Sequence, residues 1–466
     1  MYNSLTRILL LVLSGEREMG DSKLDFAGEP VGRLFRLMLF PTVAGMLSIV
    51  ILNVTDGAFV GHGVGSDGLA SVNIAAPIFT FITGLGLMFG SGCSVLASVH
   101  LSSGNVRAAG ANVTHVVLAA LIASLLLSGL ILTNLEGTAR LFGSNEELLS
   151  DVCSYIKWIV IFLPLNLLGI VGEFVIRLDG SPRYAMFCTI FAAGLNIFLD
   201  WLFIFPFGWG VEGAAMATGI SFAASGILSL VYLLFLSGSL HFCAPSGFRE
   251  AVSNVCAQMR LGFSSLLAEA AVSCSVIVGN IVFMDWLGSA GVAAYSVACY
   301  CIPTAFMLAN AIAQSSQPII SFAYAEGNLV RQKQARNIAV MAGLIAGLAG
   351  FAVLCFLAEP ITSVFLAEDE AGYRLCVAGL PFFSAASVFI CLNVVTIGYI
   401  QSIEQAGKAT FYTLLRGFIF VIPSYLFLPK ILGVKGIWLA LPVAEMLTGM
   451  LILVNYAVGK CRDMHR

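Results

Sequence analysis

Gly65-Ser66-Asp67-Gly68-Leu69-Ala70 is matched later in the chain by Gly288-Ser289-Ala290-Gly291-Val292-Ala293, an offset of 223 residues (288 − 65). Two further pairs keep this offset: Ser103-Gly104-Asn105 with Glu326-Gly327-Asn328, and Gly210-Val211-Glu212-Gly213 with Gly433-Val434-Lys435-Gly436. The offset holds across nearly a whole half of the chain without net gaps. It therefore predicts two related halves that arose by duplication.

Between these markers the chain is strongly apolar. Of its 466 residues, 59% are hydrophobic and 11% are charged, whereas charged residues make up roughly 25% of a soluble domain. Runs of about 20 apolar residues cross a bilayer as helices, because backbone groups in lipid must be hydrogen-bonded within the helix. We predict an all-α polytopic membrane protein with twelve transmembrane spans, at residues 34–60, 72–97, 112–134, 152–177, 185–206, 211–237, 259–285, 290–322, 336–357, 372–400, 408–430 and 435–459.

Six spans in each half bring the second half into the membrane on the same side as the first, so the two repeats are parallel. The predicted segments are an N-terminal leader 1–33, an N-lobe 34–237, a linker 238–258, a C-lobe 259–459 and a tail 460–466. Two such lobes facing a central cleft are typical of a transporter. A channel is usually built by several subunits around a pore, and the sequence has no filter motif.

The distribution of Lys and Arg predicts the orientation, because positive residues concentrate on the cytoplasmic side. With the N-terminus inside, the outer segments hold only Arg140, Lys157, Arg374, Lys430 and Lys435. Both termini are therefore predicted to be cytoplasmic in a multi-pass protein of the plasma (inner) membrane. The first apolar run is too short to span and has no cleavage site, so either Met1 or Met19 is the true start. The scattered cysteines are typical of packing residues, not of metal ligands.

Ionisable side chains at membrane depth are costly and mark candidate functional sites. Six lie within the predicted spans: Asp56, Glu173, Asp200, Glu269, Arg416 and Glu445. Asp56, Asp200 and Thr218 lie at similar depth, about 6–11 Å from the outer ends of spans 1, 5 and 6, and Asn196 is one helical turn from Asp200. These four side chains predict a binding site for a coupling ion, H⁺ or Na⁺. The alternative is that the acids only hydrogen-bond neighbouring helices.

The remaining charged residues allow more than one interpretation. Glu269, near the middle of span 7, is either a substrate-binding or second protonation site, or a buried structural acid. Glu173 and Arg177 are spaced i, i+4 and favour a local pair. Arg416 and Glu445 lie in adjacent spans and favour a structural ion pair, since an isolated charge there would be expensive.

Pro41 interrupts the hydrogen-bond ladder of span 1 and predicts a helix bend. It precedes Asp56 by fifteen residues, so protonation of the acids would link ion binding to lobe motion through this bend. The repeat does not copy the acids, because Asp56 corresponds to Gly279 and Asp200 to Pro423 at the same offset. The binding site for the coupling ion is therefore predicted to lie in the N-lobe.

Further motifs follow in a fixed order: Leu39-Phe40-Pro41, Ile176-Arg177-Leu178-Asp179-Gly180-Ser181-Pro182, Asn196-Ile197-Phe198-Leu199-Asp200, Gly210-Val211-Glu212-Gly213-Ala214-Ala215, Gln317-Pro318 with Gly327-Asn328, and Gly436-Ile437-Trp438. From about residue 30 onwards the chain resembles the multidrug and toxic compound extrusion (MATE) family, in its MepA-like bacterial branch. The resemblance implies export of organic cations and other amphipathic compounds, driven by inward H⁺ or Na⁺.

The resemblance also implies that Asp56, Asn196, Asp200 and Thr218 match the family's N-lobe cation site. One departure from the family concerns the C-lobe. The NorM-like branch has acids in both span 7 and span 10, and span 10 of this sequence has none. Glu269 is thus left without that partner, which favours the N-lobe as the ion site.

Three functions compete: an antiporter of small amphipathic molecules, a flippase for a lipid-linked oligosaccharide or other lipid, and a membrane enzyme. Flippases of the related superfamily usually carry more cations in the cleft, and here Arg416 alone lies at membrane depth. An enzyme needs clustered catalytic residues, and the five histidines are dispersed. We therefore expect no enzymatic activity, no cofactor besides the coupling ion and no metal beyond Na⁺. The expected partners are small organic cations or other amphipaths and membrane lipids, not nucleic acid, and the protein is expected to be a monomer.

Overall fold

The computed structural model describes residues 24–144, 146–243, 247–366 and 371–464. The predictions on the start at Met19, on most of the leader and on the end of the tail lie outside these residues. Within the described ranges, eleven helices are long and apolar enough to cross a membrane. One of them, Phe248–Ala325, contains two spans, because Gly288 breaks it with a φ of 64°. The described part of the chain therefore contains all twelve predicted spans.

The spans alternate in direction between two faces of the bundle. We call the face at which span 1 begins the proximal face and the opposite one the distal face. In order, spans 1 to 12 are Val31–Gly63, Ser66–Ser102, Val106–Leu132, Leu149–Leu178, Pro182–Ile204, Gly210–Leu236, 248–287, 289–325, Leu329–Phe356, Ala371–Ser402, Ala406–Leu432 and Val434–Met464. Two short helices, Leu135–Leu141 and Ala358–Phe365, precede spans 4 and 10.

The internal repeat is visible in the backbone. Three pairs of glycines at the predicted offset adopt positive φ: Gly65 and Gly288 (99° and 64°), Gly104 and Gly327 (73° and 71°), and Gly210 and Gly433 (55° and 60°). Glycine enters this left-handed region without steric cost. Asn105 and Asn328 also cap spans 3 and 9 identically, each accepting a backbone N–H three residues later at 3.1 Å. The prediction of two parallel six-helix repeats is confirmed.

Each lobe has its own packed interior. In the C-lobe, the rings of Phe283, Tyr295, Phe383 and Trp438 lie 4.4–6.3 Å apart in stacked and edge-on pairs. Gly379 makes this cluster possible, because an added Cβ would overlap the Trp438 ring. Close packing of this kind holds helices together in lipid, where burial of apolar surface supplies little driving force.

The lobes meet in the proximal half of the molecule. Ser98 Oγ donates to Ser321 Oγ at 2.6 Å. These two serines occupy equivalent positions of the repeats, so the axis relating the lobes passes between them. Nearby, Gly92 of span 2 packs against the backbone of Gln258 in span 7. In the distal half, the buried clusters of described residues each belong to a single lobe, and the cleft opens towards the distal face.

The helix ends and local irregularities differ from the sequence expectation. Span 2 was predicted at 72–97, and its helix runs from Ser66 to Ser102. The apolar run marks only the part of the helix that lies in lipid. The predicted linker 238–258 is helical from Phe248 onwards. Single π-helical turns occur at Tyr232–Leu236 and Leu415–Ile419. Span 1 is one continuous helix that contains Pro41, and the bend expected at this residue stays a prediction.

Candidate functional site

The four side chains predicted to form an ion site come together in the distal half of the N-lobe. The carboxyl groups of Asp56 in span 1 and Asp200 in span 5 lie close enough to interact directly. A hydrogen bond between two carboxyl groups requires a proton on one of them. The Asp200 side chain is fully buried, and one oxygen of each acid, Oδ1, has no hydrogen-bond partner among the described residues. The pair can therefore hold a proton between its two carboxyl groups.

Asn196 connects the acid pair to span 6. With its amide oriented to satisfy both neighbours, its nitrogen donates to Asp200 Oδ2 at 2.9 Å and its oxygen accepts from Thr218 Oγ1 at 3.3 Å. Asn196 is fully buried and Thr218 nearly so. Asn196 and Asp200 share one helix face because they are four residues apart. The amide thus fixes the direction in which the Asp200 carboxyl points.

Tyr155 of span 4 belongs to the same cluster, and the sequence analysis missed it. Its buried side chain lies close enough to Thr218, Asp56 and Asp200 to interact with all three. The signal was present in the sequence, since Tyr155 lies six residues from the distal end of span 4, about 9 Å deep. This matches the depth of the acids. A tyrosine is common in apolar helices, however, and depth alone did not separate it from packing residues.

Small residues bring the helices of this site together. An added Cβ at Gly219 would lie 3.0 Å from Phe162 Cγ, so span 6 approaches span 4 closely beside Thr218. Likewise Gly45 packs against Thr189 at ordinary contact distance, 3.6 Å, which joins spans 1 and 5 below the acids. Close approach at small residues is the usual mode of helix packing in lipid. It places Tyr155, Thr218 and both acids within reach of each other.

The cluster could hold a hard cation as well as a proton. Its side chains supply carboxyl, amide and hydroxyl oxygens, which are the ligands that such cations prefer. In the part of the chain that the structure describes, no three His, Cys, Asp or Glu side chains converge on a common metal position.

Glu269 lies apart from the N-lobe site, in a cavity between the lobes. The walls of this cavity come from spans 2 and 4 of the N-lobe and from spans 7, 8, 10 and 11 of the C-lobe. Among the described residues no hydrogen bond or ion pair is made by the Glu269 carboxyl, which faces this space. The structure therefore places Glu269 where a solute in the cleft would meet it.

Glu173 and Arg177 form the expected pair, and they also reach across the cleft. Arg177 Nη2 donates to Glu173 Oε2 at 2.8 Å, and Thr189 donates to the other carboxylate oxygen at 2.7 Å. Arg177 Nη1 donates to Gln314 Oε1 at 2.7 Å, and Gln314 belongs to span 8 of the C-lobe. The local pair is thus part of a contact between the lobes.

Arg416 and Glu445 form a fully buried ion pair within the C-lobe. Arg416 Nη2 donates to Glu445 Oε1 at 2.7 Å, and Arg416 Nε donates to the same carboxylate at 3.1 Å. Asn393 donates to Glu445 Oε2 at 2.7 Å. Arg416 belongs to the π-helical turn Leu415–Ile419. The pair joins spans 11 and 12 and is completed by span 10.

Comparisons with known proteins agree with this architecture. The MatE family model matches residues 41–202 and 265–426, once in each lobe. The multidrug export protein MepA of Staphylococcus aureus (strain NCTC 8325 / PS 47) is 22% identical over 429 residues, covering 91% of this chain and 93% of the relative. An FAD transporter of Shewanella oneidensis is 25% identical over 436 residues, covering 90% and 93%.

Solved structures show the same fold. A structure described as the outward-facing conformation of a multidrug resistance MATE family transporter of the MOP superfamily superposes with a TM-score of 0.87. It shares 21% identity, and the match covers 95% of this chain and 98% of that one. With the family model matched in both lobes, the chain belongs to the MatE family of multidrug and toxic compound extrusion transporters, as a MepA-like member.

Proposed function

We propose that the protein exports amphipathic, often cationic, small molecules in exchange for H⁺ or Na⁺ by alternating access. The observation that carries the proposal is the contact between the Asp56 and Asp200 carboxyl groups. Two acids in contact away from water cannot both be ionised at low cost. Releasing the proton changes the charge of the N-lobe interior, and exchanging it for Na⁺ replaces a hydrogen bond between the acids by coordination of the cation. Either change would alter the preferred arrangement of spans 1 and 5.

The conformation supports the alternating part of the mechanism. The lobes are in contact at the proximal face, and the cleft opens at the distal face. The positive-inside distribution supports a cytoplasmic proximal face. In that orientation this conformation would release a solute outside the cell and admit the coupling ion. The relatives named as multidrug export proteins support small amphipathic drugs as cargo. We propose a monomer in the plasma membrane as the functional unit.

The test is ethidium efflux from reconstituted vesicles, with either a pH gradient or a Na⁺ gradient imposed. Asp200→Asn is expected to abolish the response to the gradient that drives wild type. Asp285→Asn is the matched control, because Asp285 is an exposed acid at the distal end of span 7 and lies outside the cluster. If neither gradient affects wild-type efflux and Asp200→Asn behaves like wild type, the antiport mechanism is wrong. Gradient-independent movement of a fluorescent lipid in the same vesicles would favour a lipid flippase.

A further inference from the structure

An apolar groove follows the outer side of span 10 in the C-lobe. Gly347 of span 9 packs against Val388 of span 10, and Gly449 of span 12 packs against Asn393. Positions five residues apart, such as these two of span 10, point in directions about 140° apart around the helix axis. Between the two contacts span 10 keeps a half-exposed stripe, at Ala385, Phe389, Leu392, Thr396 and Tyr399. This stripe is the floor of the groove, and spans 9 and 12 are its walls.

The two walls present apolar side chains to their surroundings. Met341 and Leu348 of span 9 and Met450 and Leu453 of span 12 are each at least 49% exposed. Exposed apolar side chains on membrane-spanning helices face lipid chains, because no water is present at that depth. The occupant that fits the length of the groove is therefore an acyl chain.

At the proximal end of the groove, the guanidinium of Arg336 in span 9 lies beside two tyrosine rings. Its central carbon is 5.7 Å from the ring centre of Tyr399 in span 10 and 5.5 Å from that of Tyr456 in span 12. Nη1 also donates to the Tyr456 hydroxyl at 3.1 Å. Contacts between a cation and aromatic rings are attractive at these distances. Arg336 thus crosses the end of the groove from one wall to the other and is held there by both tyrosines.

The guanidinium keeps donor capacity for a further acceptor. It has five N–H groups. Nε and Nη2 donate to Asn337 Oδ1 at 3.2 and 3.0 Å, Nη1 donates to Tyr456, and the Tyr399 hydroxyl is close enough to interact. These contacts use at most four of the five donors, and every acceptor is neutral. No described acid forms an ion pair with Arg336, so its positive charge is not balanced within this part of the chain.

A second cation lies beside Arg336. Lys333 is exposed and precedes Arg336 by three residues, so both side chains lie on the same side of span 9. Lys333 likewise forms no ion pair with a described residue. The end of the groove therefore carries two positive charges, and an occupant with a net negative charge would complement them.

The cluster lies at the height of the lipid headgroups. The apolar run of span 9 begins at residue 336, and the runs of spans 10 and 12 end at residues 400 and 459. Arg336, Tyr399 and Tyr456 are thus all at the proximal edge of the hydrocarbon layer. Tyrosine is enriched at this interface, and long basic side chains extend from it towards the phosphates. Both parts of a phospholipid would meet the matching part of the groove.

We propose that this groove binds one anionic phospholipid of the proximal leaflet, with its phosphate at Arg336 and Lys333 and an acyl chain over span 10. A guanidinium donates to phosphate oxygens in a fixed fork geometry. A zwitterionic headgroup fits less well, because its ammonium group would lie beside two cations. The whole site belongs to the C-lobe, so the proposal depends neither on antiport nor on the arrangement of the lobes.

The test compares two lipids that differ only in the headgroup. The full-length protein in detergent is titrated with phosphatidylglycerol or with phosphatidylcholine of the same acyl chains, and bound lipids are counted by native mass spectrometry. We expect wild type to bind the first phosphatidylglycerol at least tenfold more tightly, the effect of about one hydrogen bond to a charged group. Inorganic phosphate in millimolar excess should not displace it, because phosphate lacks a chain for the groove.

Two variants separate a specific site from general attraction between charges. Arg336→Gln should reduce the preference for phosphatidylglycerol from about tenfold to less than threefold. Arg260→Gln is the matched control, because Arg260 is an exposed arginine at the proximal edge of the apolar run of span 7 and lies outside the groove. This control should keep the preference of wild type.

Equal affinity of wild type for the two lipids would overturn the proposal, and this outcome does not depend on whether any variant folds. Displacement of the lipid by inorganic phosphate would show a site for soluble phosphate and would overturn it too. An equal loss of preference in Arg260→Gln and Arg336→Gln would show that the lipid is attracted by net charge alone, which also contradicts a site at the groove.

Discussion

Replacing Gly262 by alanine should open the proximal face of the transporter. Gly262 lies on span 7 of the C-lobe and packs against Met88 on span 2 of the N-lobe. An added Cβ would lie 2.7 Å from the Met88 carbonyl carbon and closer still to its oxygen. The atoms that it meets belong to the backbone, so no side-chain rotation relieves the overlap. The natural response is separation of the two lobes.

The size of the effect follows from this distance. Carbon atoms in favourable contact settle at about 3.5–4.0 Å, so span 7 and span 2 must move apart by about 1 Å. Overpacking of this kind typically costs about 1–3 kcal/mol, and the cost applies only to the conformation in which the helices touch. The ratio of proximally open to proximally closed molecules should therefore rise by about 5- to 150-fold.

The assay is a distance measurement between the lobes by double electron–electron resonance. Spin labels are introduced through a ketone-bearing unnatural amino acid at Arg107 and Lys333, two exposed positions at the proximal face, one in each lobe. This chemistry leaves the native cysteines unlabelled. In Gly262→Ala a population with a longer distance should grow. Gly92→Ala should act in the same direction, because its Cβ would lie 2.7 Å from the Gln258 carbonyl carbon across the same interface.

Gly226→Ala is the matched control. Its Cβ would lie 2.8 Å from the Leu165 carbonyl carbon, but both residues belong to the N-lobe. An overlap of the same size within one lobe cannot be relieved by lobe separation, so this variant should lose thermal stability and keep the wild-type distance. If Gly262→Ala also keeps that distance and merely loses stability, the overlap is absorbed inside the helices. The reasoning about lobe separation would then be refuted.

Three further predictions concern residues around the two sites. Tyr155→Phe removes the hydroxyl that interacts with Thr218 and should slow gradient-driven efflux about fivefold, the effect of about 1 kcal/mol, with unchanged Tm. An unchanged rate would exclude Tyr155 from the ion site. The Asp179 carboxylate accepts hydrogen bonds from the three backbone N–H groups of residues 238–240 at 2.8–3.1 Å. Asp179→Asn should therefore lower the free energy of unfolding by about 2 kcal/mol, measured as a lower Tm. A wild-type Tm would contradict this. Gln314→Ala removes the hydrogen bond that Arg177 donates across the cleft. The proximally open population, measured with the same spin labels, should increase about tenfold. An increase below twofold would show that this hydrogen bond forms equally well in both conformations.

The sequence predicted the number and order of the spans because a bilayer imposes a length and a composition on each crossing segment. It predicted the ends less well. Asp67 and His100 lie inside span 2, although they flank its apolar part, since a helix can extend into the polar region beyond the lipid. The positive-φ glycines were located as repeat markers, and Gly288 proved to be the break between spans 7 and 8.

The N-lobe cluster was found because depth along a helix can be counted, and Asp56, Asp200 and Thr218 have similar depth. Rotation about the helix axis and the choice of neighbours cannot be counted in this way. Tyr155 was missed for that reason. The contact of Arg177 with Gln314 depends on how the lobes are arranged in one conformation, and no pattern within a single span indicates it.

The difference between the two lobes has a physical cause in the packing of equivalent positions. Gly279 corresponds to Asp56, and an added Cβ there would come within 2.5 Å of the Tyr295 ring. The Tyr295 hydroxyl lies 3.1 Å from the Tyr425 hydroxyl, to which it is hydrogen-bonded, and it also donates to the Ser275 carbonyl at 3.1 Å. In the C-lobe the space of the acid pair is thus filled by aromatic rings whose polar atoms are already satisfied. In the N-lobe the corresponding space contains carboxyl oxygens to which none of the described residues donates a hydrogen bond. A second ion site would therefore require removal of the aromatic cluster as well as a new acid, so Gly279→Asp alone should destabilise the C-lobe without adding a binding site for the ion.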